Sequence, residues 1–429
     1  MSGDPTAGAN GTTGAVAAGL AGRAAALDAA DPLALVRNEF LLPDGIAYLD
    51  GNSLGPPLRS VPAKVDDVVR RQWGELLIRS WDASGWWAAP GRVGDRIAPL
   101  LGAAPGQVVV TDSTTTNVFK VLVAALRQAA PRDELVLDAT TFPTDGYVAE
   151  SVARLTGASL VRVAPVDLAR ALTARTAAVL LNHVDYRTGR LHDMAALTAT
   201  CHDAGALAVW DVSHSVGVLP LELDRLGVDL AVGATYKFLN GGPGAPSFVY
   251  VPSHAQAGFD QPLTGWSGAA DPFAMDPAYR PAAGIDRART GTPDIVSLLT
   301  LDAALDIWDH VDLTTVRTKG LALTDFFIDC VDALLDPRQI RVLTPRGHDR
   351  GHHVALEALG SGPTSAPAHG DPDTRPDGAA ALVEALAASG VLADHRPPSL
   401  LRFGFAPLYV TYTDALRAVT TLADLLKRS

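Results

Sequence analysis

The 429-residue chain has only two cysteines, Cys201 and Cys330, and both fall in helical sequence patterns. Two cysteines exclude a disulfide framework and a cysteine-rich metal site, so no metal ligands are predicted. No stretch approaches the roughly 18 uninterrupted apolar residues of a membrane-spanning helix. The first residues also lack the basic flank and apolar stretch of a secretory signal. We therefore expect a cytoplasmic protein that does not contact a membrane.

Positive charge is scarce as well. The chain has 35 Lys and Arg against 47 Asp and Glu, a net charge of −12. Such a charge repels phosphate backbones and argues against a nucleic acid as partner. No Walker loop is present and no Gly-x-Gly-x-x-Gly follows a strand, which disfavours a nucleotide ligand. Apolar residues, in contrast, make up 48% of the chain, enough to bury a large core.

Two stretches are poor in large apolar residues. Residues 1–30 are mostly Ala, Gly and Thr, which predicts a disordered N-terminal extension, with a frayed surface helix around Val16 as the alternative. Residues 346–377 are dense in Gly, Pro, His and Asp. They are predicted to be part strand and part mobile insertion, with residues 360–378 the least ordered.

Between these stretches, short apolar runs alternate with longer amphipathic ones, which predicts an α/β fold with a mainly parallel sheet covered by helices on both faces. The predicted buried strands are 108–111, 134–138, 177–182, 206–211 and 229–234, and the helices between them are 116–128, 145–155 and 194–204. A helical run at 297–335, strands near Arg341, His353 and Leu401, and a helix at 413–427 predict a smaller α+β domain. Ligands of such sheets bind beyond the carboxyl ends of the strands.

Lysine is rare and one lysine stands apart. The five lysines are Lys64, Lys120, Lys237, Lys319 and Lys427. Four of them lie in or at the end of amphipathic helices, where we expect a solvated side chain. Lys237 instead follows a buried strand, in the sequence GATYKFLNGGPG. Partial desolvation there lowers the pKa of a lysine and frees its amine for Schiff-base chemistry, although a purely structural role remains the alternative.

An acidic residue occupies the equivalent place on the preceding strand. Asp211 ends the strand 206–211, and His214 follows three residues later. A carboxylate at the end of a buried strand needs a cationic partner, such as the protonated ring nitrogen of pyridoxal phosphate. Helix capping is the alternative for Asp211. Because Lys237 ends the next strand along the chain, the pair favours the cofactor.

Two further strand ends carry candidate cofactor contacts. Hydroxyl residues 113–116 follow the first predicted strand and open an apolar helix, where side chains and free backbone N–H groups form an anion site. Helix capping explains one hydroxyl but does not require Thr114 and Thr115 as well. Phe142 can stack on a flat cofactor and Asp145 can accept a hydrogen bond from it, with core packing as the alternative for Phe142.

Seven motifs in order carry a family resemblance. They are GNSLG from Gly51, FPTD from Phe142, DYRTG from Asp185, DVSH from Asp211, YKFLN from Tyr236, Gly265-Trp266, and Arg402 with the APLY run after it. With them the chain resembles the fold-type I, class V group of pyridoxal-phosphate enzymes, and within it the kynureninase family. The resemblance implies a seven-stranded, mainly parallel sheet in a transferase-like large domain at 61–310. It also implies an N-terminal arm at 31–60 and a small C-terminal α+β domain at 311–429.

The resemblance implies pyridoxal 5′-phosphate as the cofactor. The cofactor-binding positions that it implies are Thr114, Thr115, Phe142, Asp145, Asn182, Asp211, His214, Tyr236, Lys237, Trp266 and Thr292. Lys237 is similar to the lysine that binds the cofactor covalently and shuttles the substrate Cα proton, and Tyr236 to a tyrosine that acts as general acid. Asn182 stands where relatives often have Ser. Trp266 and Thr292 match positions that complete the site of the neighbouring subunit, which implies a homodimer.

The implied reaction is hydrolysis of the Cβ–Cγ bond of L-kynurenine to anthranilate and L-alanine, in tryptophan and kynurenine catabolism. The substrate-binding positions are Asn52, Ser53, Trp81 and Arg402, and the planar guanidinium of Arg402 suits the α-carboxylate. Relatives that prefer the 3-hydroxylated substrate have His at the position of Trp81 and Ser-Asn in place of Gly291-Thr292. Fewer polar groups here favour kynurenine, with 3-hydroxykynurenine as the poorer substrate.

Three other functions remain open at this level. A class V aminotransferase uses the same lysine and aspartate and differs in needing a keto-acid acceptor. A cysteine desulfurase needs a reactive thiolate on a loop, whereas Cys201 and Cys330 lie in helical patterns. A non-catalytic regulator that binds pyridoxal phosphate is the alternative from another class. The chain shows no added DNA-binding module, and Lys237, Tyr236 and Arg402 are all present.

Overall fold

The computed structural model describes residues 6–359 and 378–428. The predicted mobile insertion at 360–378 lies outside these residues, apart from Gly378. The described chain forms two compact units. The larger unit comprises Leu54–Tyr186 and Leu191–Leu313, and the smaller unit comprises the residues up to Ser53, Arg187–Arg190 and the residues from Thr314.

The regular elements are numbered here along the chain. The strands are β1 (Ala47–Tyr48), β2 (Val108–Val110), β3 (Glu134–Asp138), β4 (Ser159–Val163), β5 (Thr176–Asn182), β6 (Leu207–Asp211), β7 (Leu230–Gly233), β8 (Phe248–Tyr250), β9 (Ile340–Val342), β10 (His353–Ala358), β11 (Val391–Leu392), β12 (Asp394–Arg396) and β13 (Leu400–Gly404). The helices are α1 (Thr6–Ala29), α2 (Val61–Asp67), α3 (Ser80–Ala83), α4 (Ala89–Leu101), α5 (Thr114–Gln128), α6 (Pro143–Thr156), α7 (Leu168–Ala171), α8 (Met194–Asp203), α9 (Ile295–Ala304), α10 (Leu313–Leu334), α11 (Gly378–Ala388) and α12 (Tyr412–Arg428). A π-helical segment at Val68–Glu75 continues α2.

The larger unit contains a seven-stranded sheet in the order β2-β8-β7-β6-β5-β3-β4. The strands from β7 to β4 are parallel, and β8 is antiparallel to both of its neighbours. This arrangement confirms the predicted α/β class and the five predicted strands. The sequence patterns do not single out β4 and β8, and β4 is partly exposed along its length.

Helices cover both faces of this sheet, as predicted. In β5, Val179 and Leu181 face one apolar cluster, which includes residues of α4, α8 and α9. Ala178 and Leu180 face the other cluster, which includes residues of α5 and α6. Because every residue of β5 is buried, both sides of the strand are apolar and its sequence reads as a continuous hydrophobic run.

The smaller unit combines an antiparallel sheet, β12-β13-β10-β9, with a parallel pair of β1 and β11. Helices α10, α11 and α12 belong to this unit except for the first residue of α10. The predicted helical run at 297–335 is in fact two helices, α9 and α10, separated by a 3₁₀ segment at Leu305–Asp309. The sequence WDHVD at this break consists largely of residues with poor helix propensity, which explains the interruption.

The prediction of a disordered segment at 1–30 is wrong for residues 6–29, which form α1. Ala24 is buried, and Arg23 donates to Asp329 with an N–O distance of 2.8 Å. The carboxylate of Asp28 accepts from the backbone N–H groups of Tyr412 and Thr413, at 2.7 and 3.0 Å, and so caps α12. These contacts join residues far apart in sequence, which is why composition alone gives no sign of them.

The expectation of four solvated lysines is also wrong for two of them. Lys120 is fully buried and its Nζ lies 2.7 Å from Asp112 Oδ2. Lys319 is buried and its Nζ lies 2.7 Å from Asp31 Oδ2. Burial lowers the pKa of both lysines, and the paired carboxylates oppose that shift. Their partners come from other elements of the same unit, so a helical pattern cannot reveal them.

Among the residues that the structure describes, no helix has both the length and the apolar character needed to cross a membrane.

Candidate active site

The strand ends of the larger unit surround a cavity of about 200 Å³. Asn182 ends β5, Asp211 ends β6, and Tyr236 and Lys237 follow β7. The cavity is lined by Thr114, Thr115, Phe142, Thr144, Asp145, Asn182, Val184, Tyr186, Asp211, Ser213, His214, Tyr236 and Lys237. Nine of the predicted site residues are therefore brought together at the carboxyl ends of parallel strands, where ligands of such sheets bind.

The backbone of Lys237 is held by two close contacts. The N–H of Gly55 donates to Tyr236 O at 2.8 Å, and the N–H of Asn240 donates to Lys237 O at 3.0 Å. A Cβ on Gly55 would lie 2.3 Å from Lys237 O and 2.2 Å from Asn240 Oδ1, so only glycine fits there. Asn240 adopts a left-handed φ of 56°, which Asn tolerates better than most residues. The turn after β7 is thus closely packed and hydrogen-bonded around Lys237.

The amine of Lys237 contacts an imidazole. Its Nζ lies 3.1 Å from Nε2 of His214, which follows β6. The hydroxyl of Tyr236 belongs to the same cavity, and burial together with the charge of Asp211 raises the pKa of Tyr236. Tyr236 therefore stays protonated at neutral pH, although the raised pKa makes it a weaker acid than an ordinary tyrosine.

Two carboxylates lie behind the lysine and share one amide. Nδ2 of Asn182 donates to Asp145 Oδ2 at 3.1 Å and to Asp211 Oδ2 at 3.2 Å. Asp211 Oδ1 also accepts from the N–H of Ser213 at 2.7 Å. Burial, and next the charge of Asp211, raise the pKa of Asp145 to about 8. Asp145 is therefore largely protonated at neutral pH, which limits the repulsion between the two groups.

The start of α5 forms one end of the cavity. Ser113 is the N-cap, with its Oγ accepting from the N–H of Thr116 at 3.3 Å. Thr114 donates from Oγ1 to Ser247 Oγ at 3.2 Å, and both Thr114 and Thr115 line the cavity. The first N–H groups of a 15-residue helix have no partner within the helix, so this end attracts an anion such as a phosphate.

An aromatic pair forms another wall. Phe142 precedes α6, and its ring meets that of Tyr186 edge to face, with centroids 5.2 Å apart. The ring of Phe142 is 36% exposed although it lines a cavity, which leaves surface for a flat ligand. Sequence reasoning assigned no role to Tyr186, Thr144, Val184 or Ser213. Tyr186 lies inside the DYRTG motif, so a signal for it was present.

Three predicted residues of the larger unit do not line this cavity. Trp266 lines a second cavity, of about 340 Å³, and Thr292 a third, of about 250 Å³. Trp81 packs in an aromatic cluster, with its ring 6.5 Å from that of Trp266 and 5.7 Å from that of Trp86.

The remaining predicted residues meet in the smaller unit. Arg402 is only 1% exposed, so the alternative of a surface strand residue is wrong. Its Nη2 donates to Ser53 Oγ at 3.1 Å, and with the Asn52 amide oxygen facing it, Nε donates to that oxygen at 3.0 Å. Asp394, which the sequence analysis missed, accepts from both Nε and Nη2 of Arg402. Asp394 and Arg402 are directly opposite in the β12–β13 pair.

The chain matches two family models and many curated relatives along most of its length. The family described as Aminotransferase class-V matches residues 92–357, and the Kynureninase C-terminal domain matches residues 373–422. Curated kynureninases of Burkholderia pseudomallei (strain K96243) and Pseudomonas fluorescens are each 44% identical to the chain over 411 residues. These alignments cover 94% of this chain and 94% of each relative.

The chain belongs to the kynureninase family.

Family membership makes it a pyridoxal-phosphate-dependent hydrolase that acts on a carbon–carbon bond. Solved structures share the fold at low identity. The cysteine desulfurase CsdA from Escherichia coli gives a TM-score of 0.76 at 20% identity, covering 92% of this chain and 98% of that one. The cysteine desulfurase from Thermococcus onnurineus NA1 gives 0.74 at 17% identity, with the same coverage. These likenesses support the fold-type I class of the kynureninase family.

The thiols of this kynureninase-family chain argue against desulfurase chemistry. Cys201 and Cys330 are both free and buried. Burial is the largest cause that raises the pKa of each thiol to about 12. A desulfurase needs an accessible thiolate, and neither cysteine can supply one at neutral pH.

The donor set of the cavity fits the cofactor that kynureninases require. A lysine amine, a carboxylate at a strand end and hydroxyls at a helix start match an aldehyde, a ring nitrogen and a phosphate, in that order. An exposed aromatic ring at the wall suits a flat pyridine. The lining residues include no group of arginines or lysines that would bind a phosphate elsewhere in the cavity. The start of α5 is therefore the best phosphate site in this cavity.

Proposed function

We propose that this cavity binds pyridoxal phosphate and that the chain there hydrolyses L-kynurenine to anthranilate and L-alanine. The observation that carries the proposal is that Lys237 and Asp211 line one cavity, at the ends of neighbouring strands β6 and β7. The Asn182 amide, 3.2 Å from Asp211 Oδ2, and the His214 imidazole, 3.1 Å from Lys237 Nζ, hold the two groups in place.

Five residues would hold the cofactor directly. Thr114 and Thr115 bind its phosphate at the start of α5, and Phe142 stacks against its ring. Asp211 accepts a hydrogen bond from the ring nitrogen, and Lys237 binds the aldehyde carbon. When bound, the cofactor supplies an electron-accepting ring that stabilises negative charge developed on the substrate.

Lys237 and Tyr236 move the protons. Lys237 Nζ takes the proton from the substrate Cα and returns it within the site, and His214 Nε2, 3.1 Å away, keeps the amine oriented. Water adds to the Cγ carbonyl of the substrate, and the Cβ–Cγ bond then breaks, with Cγ leaving as the carboxyl group of anthranilate. Tyr236 donates a proton to Cβ, which becomes the methyl group of L-alanine. Tyr236 is protonated at neutral pH and therefore carries the proton that this step needs.

Substrate recognition falls to residues outside the cavity lining. Arg402 binds the α-carboxylate, with Asn52 and Ser53 beside it, because a buried guanidinium held by several acceptors is fixed in orientation. Trp81 lies against the aromatic ring of the substrate. Its ring neighbours Trp86, Trp87 and Trp266 offer no carboxylate or imidazole for a 3-hydroxyl group, which favours kynurenine over 3-hydroxykynurenine.

We further propose that the active form is a cytoplasmic homodimer. Trp266 and Thr292 would complete the phosphate site of the partner subunit, which explains why neither lines the cavity of its own chain. Trp266 and Phe273 are exposed neighbours, and exposed aromatic residues of this size favour a protein contact. Two buried free cysteines suit a reducing compartment.

The test uses the purified protein loaded with pyridoxal phosphate. We expect a yellow absorbance band, and then anthranilate fluorescence after L-kynurenine is added without a keto acid. Lys237→Ala should abolish the turnover, whereas Lys427→Ala, at an exposed lysine, should match the wild type. Turnover that requires a keto-acid acceptor would identify an aminotransferase instead. Full turnover by Lys237→Ala would contradict the proposed roles.

A further inference from the structure

An ion pair between a fully buried lysine and a partly exposed carboxylate lies next to the predicted phosphate site but outside the cavity. Lys120 of α5 has no exposed surface, and its Nζ donates to Asp112 Oδ2 at 2.7 Å and to Ala288 O at 2.8 Å. The Asp112 side chain is 23% exposed. Burying the charge of a lysine is costly even when the charge is paired, and an apolar residue in its place often costs no stability. The need to hold neighbouring groups in position therefore explains this pair better than a gain in stability.

Asp112 connects the pair to the start of α5. It directly precedes the N-cap Ser113 and adopts a left-handed φ of 48°, which is uncommon for a residue other than glycine. Its carbonyl accepts from the N–H of Ser247 at 2.8 Å. Ser247 Oγ in turn accepts from Thr114 Oγ1 and donates to the carbonyl of Gly233 at 2.7 Å. The conformation of Asp112 thus sets where Thr114 and Thr115 stand.

The same carboxylate also holds a second loop. Thr290 donates from Oγ1 to Asp112 Oδ1 at 2.9 Å, and Lys120 holds the carbonyl of Ala288 two residues earlier. Residues 288–292 are thereby tied to α5 at two points. Thr292, the residue proposed to reach the partner's phosphate site, is two residues beyond Thr290.

Trp266 is attached to the same loop. Ser267 Oγ donates to Thr290 O at 3.1 Å and to Gly291 O at 2.8 Å. On the other side of Trp266, a Cβ on Gly265 would lie 2.2 Å from Thr290 O, so the two backbones are in direct contact there. The residues flanking Trp266 therefore take their position from Thr290.

We propose that the Lys120–Asp112 pair is a positioning device that serves two phosphate sites. It holds the start of α5 for the chain's own site, and through Thr290 it holds Trp266 and Thr292 for the site of a partner subunit. Lys120, Asp112 and Thr290 act through other residues and are positioning residues. The inference rests on the proposed homodimer and on the proposed phosphate contacts.

Thr290→Val tests the device because it removes one hydroxyl and keeps the shape of the side chain. We expect the dissociation constant of pyridoxal phosphate for the apoprotein to rise about tenfold, as for loss of a hydrogen bond to a charged group. Thr290→Ser, which keeps the hydroxyl, should restore the wild-type value. Thr290→Val should also unfold at a lower temperature than Thr290→Ser, so the dissociation constants are compared well below both unfolding midpoints, where each variant is fully folded. A wild-type dissociation constant for Thr290→Val would overturn the inference.

Mixed dimers show in which subunit Thr290 acts. In the first, a Thr290→Val chain is paired with a Lys237→Ala chain, so the one intact lysine receives an unaltered partner loop. In the second, a wild-type chain is paired with a chain that carries both substitutions, so the intact lysine receives the altered loop. The readout is the cofactor trapped on Lys237 by borohydride at limiting pyridoxal phosphate. We expect near-normal trapping in the first dimer and reduced trapping in the second, and equal trapping in both would contradict the inference.

Thr292→Ala distinguishes the inference from the function on which it rests. If Thr292→Ala weakens cofactor binding and Thr290→Val does not, only the positioning role fails. If neither substitution has an effect, or if the wild-type protein sediments as a monomer, the proposed dimeric site fails and the inference fails with it.

Discussion

Asn182 and Asp145 are hydrogen-bonded, with the amide Nδ2 3.1 Å from the carboxylate Oδ2. The same amide reaches Asp211, so it separates two buried acids and donates to both. The amide oxygen is occupied as well, because it accepts from the N–H of Phe142 at 3.1 Å and from the hydroxyl of Thr141. Asn182 therefore links the aromatic wall of the cavity to both carboxylates.

Asp145 makes folding stability depend on pH. Its pKa is raised from the model-compound value of 3.8 to about 8 by burial and by Asp211. An unfolded chain releases this proton near pH 4, whereas the folded chain retains it until about pH 8. The contribution of Asp145 to the free energy of unfolding is therefore fully present below pH 4 and is lost as pH rises through 8. Asp145→Asn should remove this loss, so that thermal unfolding of the apoprotein favours the variant at pH 8 and not at pH 4. Parallel curves for the two proteins would contradict the assignment.

His352 gives the opposite dependence. Its ring is fully buried in the smaller unit, and burial together with Arg317, Arg350 and His353 lowers its pKa well below 6.5. A lowered histidine pKa contributes stability that is present above pH 6.5 and is lost as pH falls below it. We expect His352→Gln to show a smaller loss of unfolding free energy between pH 7 and 5. Exposed His348→Gln is the control and should follow the wild type.

Gly55 should be intolerant of any side chain. A methyl group there would lie 2.3 Å from Lys237 O, so the turn that carries Lys237 must move. A displacement near 1 Å costs roughly a hundredfold in rate, and we expect a loss of about that size in kcat for Gly55→Ala. The control is Gly91→Ala within α4, where a Cβ meets no atom within 4 Å. Its kcat should equal that of the wild type, with stability unchanged or raised. A similar kcat for both variants would show that Gly55 does not position Lys237.

Asp394 should affect substrate binding more than turnover. Its carboxylate accepts from Arg402 at two nitrogens and from Arg396 at 2.7 Å. Asp394→Asn weakens this hold on Arg402, and we expect KM for L-kynurenine to rise about tenfold with a smaller change in kcat. Asp336→Asn, in the exposed pair with Arg338, is the matched control and should change neither constant. An equal fall in kcat with unchanged KM would place Asp394 in the chemical step instead.

The sequence predicts which site residues lie at strand ends, but it predicts few of the hydrogen-bond and ion-pair partners that hold the functional side chains in place. Lys237, Asp211 and Asn182 follow or end apolar runs, and parallel topology brings such ends to one edge. Asp394 could not be recognised, because its pairing with Arg402 depends on the register of β12 and β13. The carboxylate partners of Lys120 and Lys319 likewise lie outside the helices that carry these lysines. A helical pattern predicts which residues share one face of a helix. It does not predict which carboxylate elsewhere in the chain will contact a lysine on that face.

The order of synthesis has a consequence for α1. Its residue Asp28 caps α12, almost four hundred residues later in the chain. Arg23 of α1 likewise pairs with Asp329 of α10, 306 residues later. Until α10 and α12 have been made, α1 lacks these partners, whereas the larger unit can already fold. The contacts of α1 are therefore completed only when residues 412–428 emerge, and they are among the last of the chain to form.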